Sequence, residues 1–459
     1  MTLYFLIVTY CLISTSGILN CQFIFMKNIL FIIGLSLFSF LKNSYAQTTL
    51  SLEEAINRAL SQNFGIKVLQ NDVKILSNNA VKANAGFLPN VGLTASETPS
   101  FGYLNQRLSN GGKVDRSNVS NNLNGSVQLS WLLYDGKRMY LEFDRLKELQ
   151  GAGEIGLKIR SEQLIYDVMR AYFNIVRQQE LANSLEEQLN LYEERLRLAS
   201  TRLEVGKGNQ LDVLQAQSDL SVQKTQLLRQ KQATDIAKLQ LNQLMTNDPS
   251  VIFSVQDSLA VGQYTDYNLL KNNLLDKNLN MALLKKQLGI STLLEKQAES
   301  LNKPRVTFNS GFTLGRQDNT AGLFLVNQNT GLNAGVTLTY PIFDGGNIKR
   351  QVANAKIEIE SNKLRSDQLK ADLLNSLAIA YQNFVNAAEI LRGEENNKTI
   401  AQQSISIAME RYRLSRSTIL ELAQIQQTYE NAIFRSIAAK FEAKMAEIDL
   451  LRLSGSLIR

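Results

Sequence analysis

Few side chains in this sequence could carry acid–base or nucleophilic chemistry. Histidine is absent, which removes the commonest general base and the commonest metal ligand. The two cysteines, Cys11 and Cys21, lie in the apolar N-terminal stretch. The remaining chain therefore lacks the histidine of a catalytic triad and the side chains of a His/Cys metal site. Acid pairs such as Glu53 and Glu54 fall on a predicted helix surface, where solvated charge is the usual explanation. An enzyme is therefore the least favoured class of function.

The remaining polar pattern is a short turn that occurs twice, 209 residues apart. RLEVGKGNQLDVLQAQ begins at Arg202, and RYRLSRSTILELAQIQ begins at Arg411. The alignment needs no gap from residue 127 to residue 244, which pairs with residue 453. An internal two-fold repeat of this length indicates one supersecondary unit used twice in a single fold.

In both turns a polar residue stands three positions before an acid, Asn209 before Asp212 and Thr418 before Glu421. This spacing is typical of a capping box that opens a helix, whose dipole the acid also favours. Gly206 suits the left-handed residue that ends the preceding helix. Capping is therefore sufficient to explain these residues, and it is compatible with a further role.

Each half of the chain reads as helix, strand, loop, strand, long helix, turn and helix. The first helix is predicted from about Leu52 to Phe87, and the 68 residues between Gly136 and Val205 contain no proline. At 1.5 Å per residue, such a helix is roughly 100 Å long. Its apolar residues step by four and three, as in a coiled coil: Leu181, Leu185, Leu189, Tyr192, Leu196, Ala199 and Leu203.

Four segments alternate apolar residues with small or polar ones, as the strands of a membrane barrel or of an ordinary sandwich do. They form two predicted hairpins, at about 90–134 and about 305–343, with about ten residues per strand. Four strands cannot close a barrel, and an open edge cannot lie in lipid because its backbone groups would be unpaired. Closure therefore needs further copies of the chain, two giving eight strands and three giving twelve.

The first 46 residues differ from the rest in composition, because they contain no Asp or Glu. An apolar run at 29–41 and the small-x-small sequence SYA before Gln47 predict a secretory signal peptide that starts at Met26. A transmembrane anchor within 3–41 is the alternative, although polar residues interrupt it at 14–20. The net charge of +7 is modest for 459 residues, so no nucleic-acid partner is expected.

These features predict a particular organisation of the chain. It comprises a leader at 1–46, a first repeat at 47–245 with its turn at 205–210, a connector at 246–267, and a second repeat at 268–459 with its turn at 414–418.

The order of the motifs resembles the TolC family of bacterial outer-membrane efflux ducts. The matching segments are SLEEAINRAL from Ser51 with Asn63, Leu88-Pro89, FDGG from Phe343 and the two turns. The first turn follows the family pattern R-L-x-x-G-x-x-x-x-x-D-x-L-x-A at Arg202, Leu203, Gly206, Asp212, Leu214 and Ala216.

The resemblance implies a mainly α-helical fold with a membrane β-barrel. Four strands from each protomer of a homotrimer would complete a twelve-stranded barrel in the outer membrane of a Gram-negative bacterium. Long coiled-coil helices would continue it as an α-barrel in the periplasm. The implied function is a passive duct of a tripartite efflux system, which exports drugs and toxic compounds without a cofactor. The implied partners are a periplasmic adaptor, an inner-membrane pump of the RND or ABC type, and outer-membrane lipid.

Two alternatives remain open at this point. Within the family, the duct could serve type I protein secretion or metal-ion efflux, because the pump largely selects the cargo. From another class, a periplasmic coiled-coil scaffold or adhesin without a pore would contain similar helices.

The resemblance also assigns roles to the two turns, which would form the periplasmic tip where the pore narrows and the adaptor docks. Glu421 would contribute to a carboxylate ring that attracts cations, and Gln424 stands where the family has a second acid. The predicted adaptor-docking residues are Arg202, Leu203, Gly206, Asp212, Leu214, Ala216, Arg411, Ser415 and Leu420.

A lock that closes the tip is implied as well. Asp212 and Tyr412 occupy the places of a hydrogen-bonded pair. The arginine of the family lock falls at Ser417, with Arg416 adjacent, and Ser415 stands where the family has glycine. The lock is therefore expected to be only partly present.

Overall fold

The computed structural model describes residues 48–262, 266–455 and 457, in which the two halves repeat one order of elements. The predicted leader at 1–46, with its two cysteines, and Gln47 lie outside the described residues. The helices are α1 (Leu52–Gln62), α2 (Phe64–Asn79), α3 (Arg138–Glu204), α4 (Gln210–Met245), α5 (Tyr267–Lys277), α6 (Leu279–Ser300), α7 (Asn347–Arg413) and α8 (Ile419–Leu453). The strands are β1 (Thr48–Thr49), β2 (Asn90–Arg107), β3 (Lys113–Tyr134), β4 (Phe253–Ser254), β5 (Arg305–Asn319) and β6 (Val326–Thr339).

The prediction of a single helix from about Leu52 to Phe87 is wrong, because the helix is interrupted at Asn63 and the second helix ends at Asn79. Asn63 leaves the helical region at ψ 124°, and its side chain accepts hydrogen bonds from the next two free N–H groups, at 2.9 and 3.3 Å. Asn278 divides α5 from α6 in the same way. In both halves an asparagine therefore ends one helix and caps the next.

The long helices α3 and α7 each contain 67 residues, so each is roughly 100 Å long. An aspartate precedes each helix and accepts a hydrogen bond from a backbone N–H of its first turn, Asp135 from Met139 at 2.9 Å and Asp344 from Ile348 at 2.6 Å. Gly136 follows the first aspartate with φ +73°, and a Cβ there would lie 2.6 Å from that of Lys303. The entry to α3 therefore requires glycine.

The four longer strands form one antiparallel sheet in the order β2-β3-β5-β6. They contain 18, 22, 15 and 14 residues, and are longer than the ten or so predicted. The prediction fell short because alternation reveals a strand only where one face is apolar. Beyond that span, backbone pairing continues through mostly polar segments, to Arg107 opposite Lys113.

One face of the sheet is apolar and open. Leu93 of β2 and Leu332 of β6 are 78% and 77% exposed, and Val91, Val336 and Leu338 are also exposed on that face. Among the residues that the structure describes, nothing covers this surface, which is far more apolar than a water-facing sheet tolerates.

Coiled-coil packing of α3 with α4 and of α7 with α8 provides most of the core. The predicted stripe on α3 is buried at Leu185, Tyr192 and Ala199, while its other members are half-buried. Two apolar clusters join α7 to the rest of the core. One contains Leu270, Leu274, Leu377, Ala380, Phe384 and Leu450, and the other contains Leu198, Ile405, Ala408, Tyr412 and Leu422.

Polar side chains recur every seven residues along α3, at Gln188, Arg195 and Arg202. Arg195 is 1% exposed, forms an ion pair with Asp219 of α4 and donates to the Gln426 Oε1 atom of α8 at 3.1 Å. Such a polar seam costs stability relative to an apolar one, and it fixes the register of packed helices.

Glu430 of α8 is buried beside the same seam. Burial raises the pKa of its carboxyl above the ordinary value, although a hydrogen bond with Tyr192 and the charge of Arg195 act in the opposite direction. The charge of Asp219 adds to the rise. The seam therefore holds an acid whose neutral form the fold favours.

The connector at 246–262 and residue 266 is irregular apart from β4, and residues 263–265 lie outside the described part. The buried Tyr172 hydroxyl of α3 donates to a carboxylate oxygen of Asp257 at 2.5 Å. The Asn242 amide of α4 donates to the Val251 carbonyl at 3.0 Å. Val251 and Asp257 of the connector are thus each tied to a long helix by a hydrogen bond.

No helix within the described ranges combines the length and the apolar character needed to cross a lipid bilayer.

We predict that Glu430→Gln stabilises the protein more at pH 8 than at pH 5. Because the folded-state pKa is raised, the stability that Glu430 contributes is complete below its ordinary pKa of 4.5 and is lost as the pH rises through the folded value. The neutral amide removes that loss. Thermal unfolding of the purified protein in detergent at both pH values measures the difference.

Glu410→Gln is the matched control, because a hydrogen bond from Arg413 lowers the pKa of this exposed acid. We expect no gain at pH 8 for the control. The prediction would be contradicted if Glu430→Gln raised the unfolding temperature at pH 8 no more than the control does.

Candidate functional site at the two helical turns

The two turns end their long helices with the same hydrogen bonds. In the first, Lys207 N donates to the Arg202 carbonyl at 2.8 Å, and Gly206 N donates to the Leu203 carbonyl at 3.0 Å. In the second, the corresponding distances from Arg416 to Arg411 and from Ser415 to Tyr412 are 2.8 and 3.0 Å. Both are Schellman motifs, as the left-handed position predicted for the first turn requires.

The left-handed residue differs between the turns. Gly206 has φ +73°, and Ser415 adopts φ +60° at the equivalent place. A residue with a Cβ pays about 1–2 kcal/mol in this conformation. The second turn therefore keeps the geometry of the first at a cost that glycine would avoid.

The predicted caps are confirmed. The Asn209 side chain accepts from Asp212 N at 2.9 Å, and the Thr418 hydroxyl accepts from Glu421 N at 3.2 Å. Glu421 also forms an exposed ion pair with Arg411 across the turn, at 3.4 Å. The carboxylate that the sequence assigned to a cation-attracting ring is therefore partly neutralised within its own chain.

Apolar side chains on both turns point into solvent. Leu211 and Leu420, at equivalent positions, are 71% and 75% exposed, and Val205, Leu214 and Leu414 are exposed as well. Of these residues, only Leu214 and Leu420 belong to the docking surface predicted from the sequence. The sequence contained a signal for Val205, Leu211 and Leu414 as well. Each is a large apolar residue that lies next to the capping residues of a turn.

Two predicted site residues have different surroundings from those expected. Ala216 is 0% exposed, so this residue of the predicted docking set offers no surface to a partner. Leu203 is half-buried, whereas Gln424 and Arg416 are exposed. The spacing of the motif matched a docking strip, but helix geometry turns every third or fourth residue inward.

The predicted hydrogen bond between Asp212 and Tyr412 does not form within the chain. The Tyr412 hydroxyl is buried and has no hydrogen-bond partner among the described residues. Instead, the Arg202 guanidinium lies 4.5 Å from the centre of its ring. Burial raises the pKa of Tyr412, the charge of Arg202 opposes that rise, and the charge of Asp212 adds to it.

The end of the polar seam is thus the contact that joins the two turns. Arg202 of α3 covers Tyr412 of α7, and two of its nitrogens, Nε and Nη1, are buried without a hydrogen-bond partner in the described chain. Sequence reasoning placed Arg202 on the docking surface and missed this contact. The seven-residue spacing from Arg195 was the available signal.

The described residues around the turns do not form a metal site. Among the described residues, no group of three or more His, Cys, Asp or Glu side chains is placed to hold a metal ion. The site consists of capped turns, exposed apolar side chains and one cation–π contact, an arrangement suited to contacts with other chains.

Comparison with known proteins identifies the family. Residues 55–247 and 274–456 match the family model described as outer membrane efflux protein, one segment in each half of the chain. The outer membrane efflux protein BepC of Brucella suis biovar 1 is 19% identical over 409 residues, 88% of this chain and 85% of BepC. Protein CyaE of Bordetella pertussis is 22% identical over 414 residues, 89% of this chain and 85% of CyaE.

The fold agrees with the family match. The crystal structure of the CmeC outer membrane channel of Campylobacter jejuni superposes with a TM-score of 0.71 at 17% identity, covering 90% of each chain. The resemblance inferred from the sequence is confirmed. The chain therefore belongs to the outer membrane efflux protein family, whose members are channel proteins of the outer membrane with a periplasmic extension and not enzymes.

Proposed function

We propose that the chain is one protomer of a trimeric duct that passively exports small molecules such as drugs and toxic compounds. It would work with a periplasmic adaptor and an inner-membrane pump of the RND or ABC type. The proposal rests on the sheet, because the four strands of one chain can form only part of a barrel wall. Its edge strands β2 and β6 have no further neighbour among the described residues, and its apolar face is open.

Lipid makes the open edges decisive. Each unpaired N–H or C=O group in the hydrocarbon costs several kcal/mol, so β2 and β6 need partners. They run in opposite directions, and β6 of one copy can therefore pair with β2 of the next as one more antiparallel ladder. Three copies give twelve strands and an open lumen.

The stagger of the sheet predicts the register at this seam. Strand β2 begins at Asn90, opposite Ser130 of β3. Strand β6 ends at Thr339, opposite Arg305 of β5, and the next residue of β5, Val306, pairs with Tyr134 of β3. The sheet thus shifts by four residues along β6, or five along β3 with its bulge, over three strand steps, as a tilted barrel requires. One further step of the same size places Thr337 of one copy opposite Thr94 of the next.

The turns support the contact with an adaptor. Their exposed leucines have no partner in the described chain, and they lie beside the rigid caps that fix the turn backbone. Apolar side chains on rigid, water-exposed turns suit a partner helix that covers them. The roles of Asp212, Tyr412, Glu421, Gln424 and Arg416 in narrowing the pore remain part of this proposal.

We predict that cysteines at Thr94 and Thr337 form disulfides between copies. With Cys11 and Cys21 replaced by serine, oxidation of Thr94→Cys/Thr337→Cys in membranes should give covalent dimers and trimers on denaturing gels. Paired Thr94→Cys/Asn327→Cys is the control, because Asn327 lies ten residues before Thr337 in β6, roughly 33 Å from it. A product that stays monomeric, or a control that links equally well, would defeat the closed-barrel arrangement.

We predict that Arg202→Ala raises the open probability of the purified channel in planar bilayers. Loss of a cation–π contact of about 0.5–2 kcal/mol shifts a closed tip towards opening by about two- to thirty-fold. Arg197→Ala is the control, since Arg197 is on the same helix but is exposed and pairs with Glu194. Equal effects from both substitutions would remove Arg202 from the gate.

Tyr412→Phe separates this contact from the lock between Asp212 and Tyr412. The ring under Arg202 is kept and only the hydroxyl is lost. Increased opening of this variant would support a hydroxyl bond formed in the assembled tip, whereas unchanged opening would rule out that lock.

We predict that Gly206→Phe weakens cross-linking to the adaptor at least ten-fold. No atom lies within 4 Å of a Cβ built at Gly206, so a large side chain would project from the turn into the space of a docked partner. Gly206→Ala is the control, because it introduces the same left-handed strain without the bulk. Normal cross-linking and drug resistance in Gly206→Phe would place the adaptor elsewhere.

A further inference from the structure

The face of the sheet opposite the apolar one is uncharged along most of its length. It is formed by alternate residues of 92–102 in β2, 118–130 in β3, 307–319 in β5 and 327–339 in β6. Every one of these positions holds asparagine, glutamine, serine, threonine or glycine. We call this surface the amide face. Amides and hydroxyls both donate and accept hydrogen bonds, so the face is wetted without carrying a charge.

The sheet does contain ionisable residues, but they lie elsewhere. Glu97, Arg316 and Asp318 belong to the apolar face. There Glu97 accepts from the Asn121 amide at 2.8 Å, and Arg316 pairs with Asp318 at 2.9 Å. On the side of the amide face, charge is confined to its ends in the described strands, at Arg116 and Arg305. Charge is thus kept off the central rows of one face only.

In a closed barrel, the surrounding lipid and the water inside determine which face of the sheet points outward. The apolar face must meet the hydrocarbon, so the amide face must meet the water inside. Charge selectivity in pores arises from rings of charged side chains, and three copies of any lumen residue would form such a ring. The rows between Arg116 and Arg305 contain no residue that could form one.

We propose that the amide face lines the lumen and that the barrel passes cationic, anionic and uncharged cargo alike. This inference rests on the proposed function, because the amide face encloses water only if the barrel closes. It locates any preference for charge outside the barrel, at positions such as Glu421 of the second turn. The cargo class that the barrel suits is any water-borne molecule that fits, irrespective of its charge.

The reactivity of a cysteine at Asn333 tests the inference. Asn333 lies on the amide face opposite Gly311, far from both arginines at its ends. With Cys11 and Cys21 replaced by serine, Asn333→Cys is treated in proteoliposomes with a cationic and an anionic methanethiosulfonate, the trimethylammonioethyl and sulfonatoethyl reagents. We expect the ratio of the two rates to lie within about two-fold of the ratio for 2-mercaptoethanol, because the charges on this side of the sheet are confined to its ends and lie more than a Debye length away.

Two further cysteines calibrate the measurement. Leu104→Cys is directly opposite Arg116 on the same side of the sheet, so the anionic reagent should be favoured there by about five-fold or more. Ala334→Cys is adjacent to Asn333 but belongs to the apolar face, and lipid should protect it from both reagents.

The outcomes separate this inference from the proposed function. A strong preference for either reagent at Asn333→Cys would overturn the inference and leave the duct intact. Unreactive Asn333→Cys together with reactive Ala334→Cys would reverse the two faces and overturn it too. Failure of all three cysteines to react, in protein that also conducts no ions in planar bilayers, would mean that no conduit forms and would defeat the proposed function itself.

Discussion

Backbone hydrogen bonding in lipid is the constraint on which the rest of this structure depends. A four-stranded sheet leaves two edges, and those edges are tolerable in water but not in a bilayer. A sheet surrounded by water would be equally unfavourable, because apolar residues such as Leu93 and Leu332 would stay exposed to it. The proposed duct would solve both problems, because sister chains would complete the wall and lipid would surround it. Oligomerisation would then belong to the fold itself, and a hollow interior would follow from the number of strands.

The helices meet a different requirement, because packed helices roughly 100 Å long can slip along one another. The polar seam answers it. Arg195 binds Asp219 of α4 and Gln426 of α8, so a shifted register would leave a buried charge unpaired. The same seam ends at Arg202 over Tyr412, where it joins the two turns. An arrangement that costs stability along the core thus fixes the position of the two turns, the part of the chain that we propose contacts the adaptor.

The turns illustrate how far local sequence reaches into a functional site. Their caps and left-handed residues were predictable, because each depends on residues within about five positions, as at Asn209 and Thr418. Burial was not. Ala216 fits the docking motif by spacing, yet the packing of α4 hides it. Tyr412 was paired with Asp212 by analogy, whereas within the chain its neighbour is Arg202, which comes from a helix more than 200 residues away.

The sequence by itself determined the two-fold repeat, the long helices, the capped turns, the alternating strands and the family, because all of these are periodic or nearest-neighbour properties of the chain. It missed the breaks at Asn63 and Asn278 and the full length of the strands, where polar residues conceal regular structure. Only the tertiary structure decided which polar groups are buried together, which turn residues face solvent, and how the uncharged sides of the four strands align in one sheet. Those outcomes depend on contacts between elements far apart in sequence, and no local pattern encodes them.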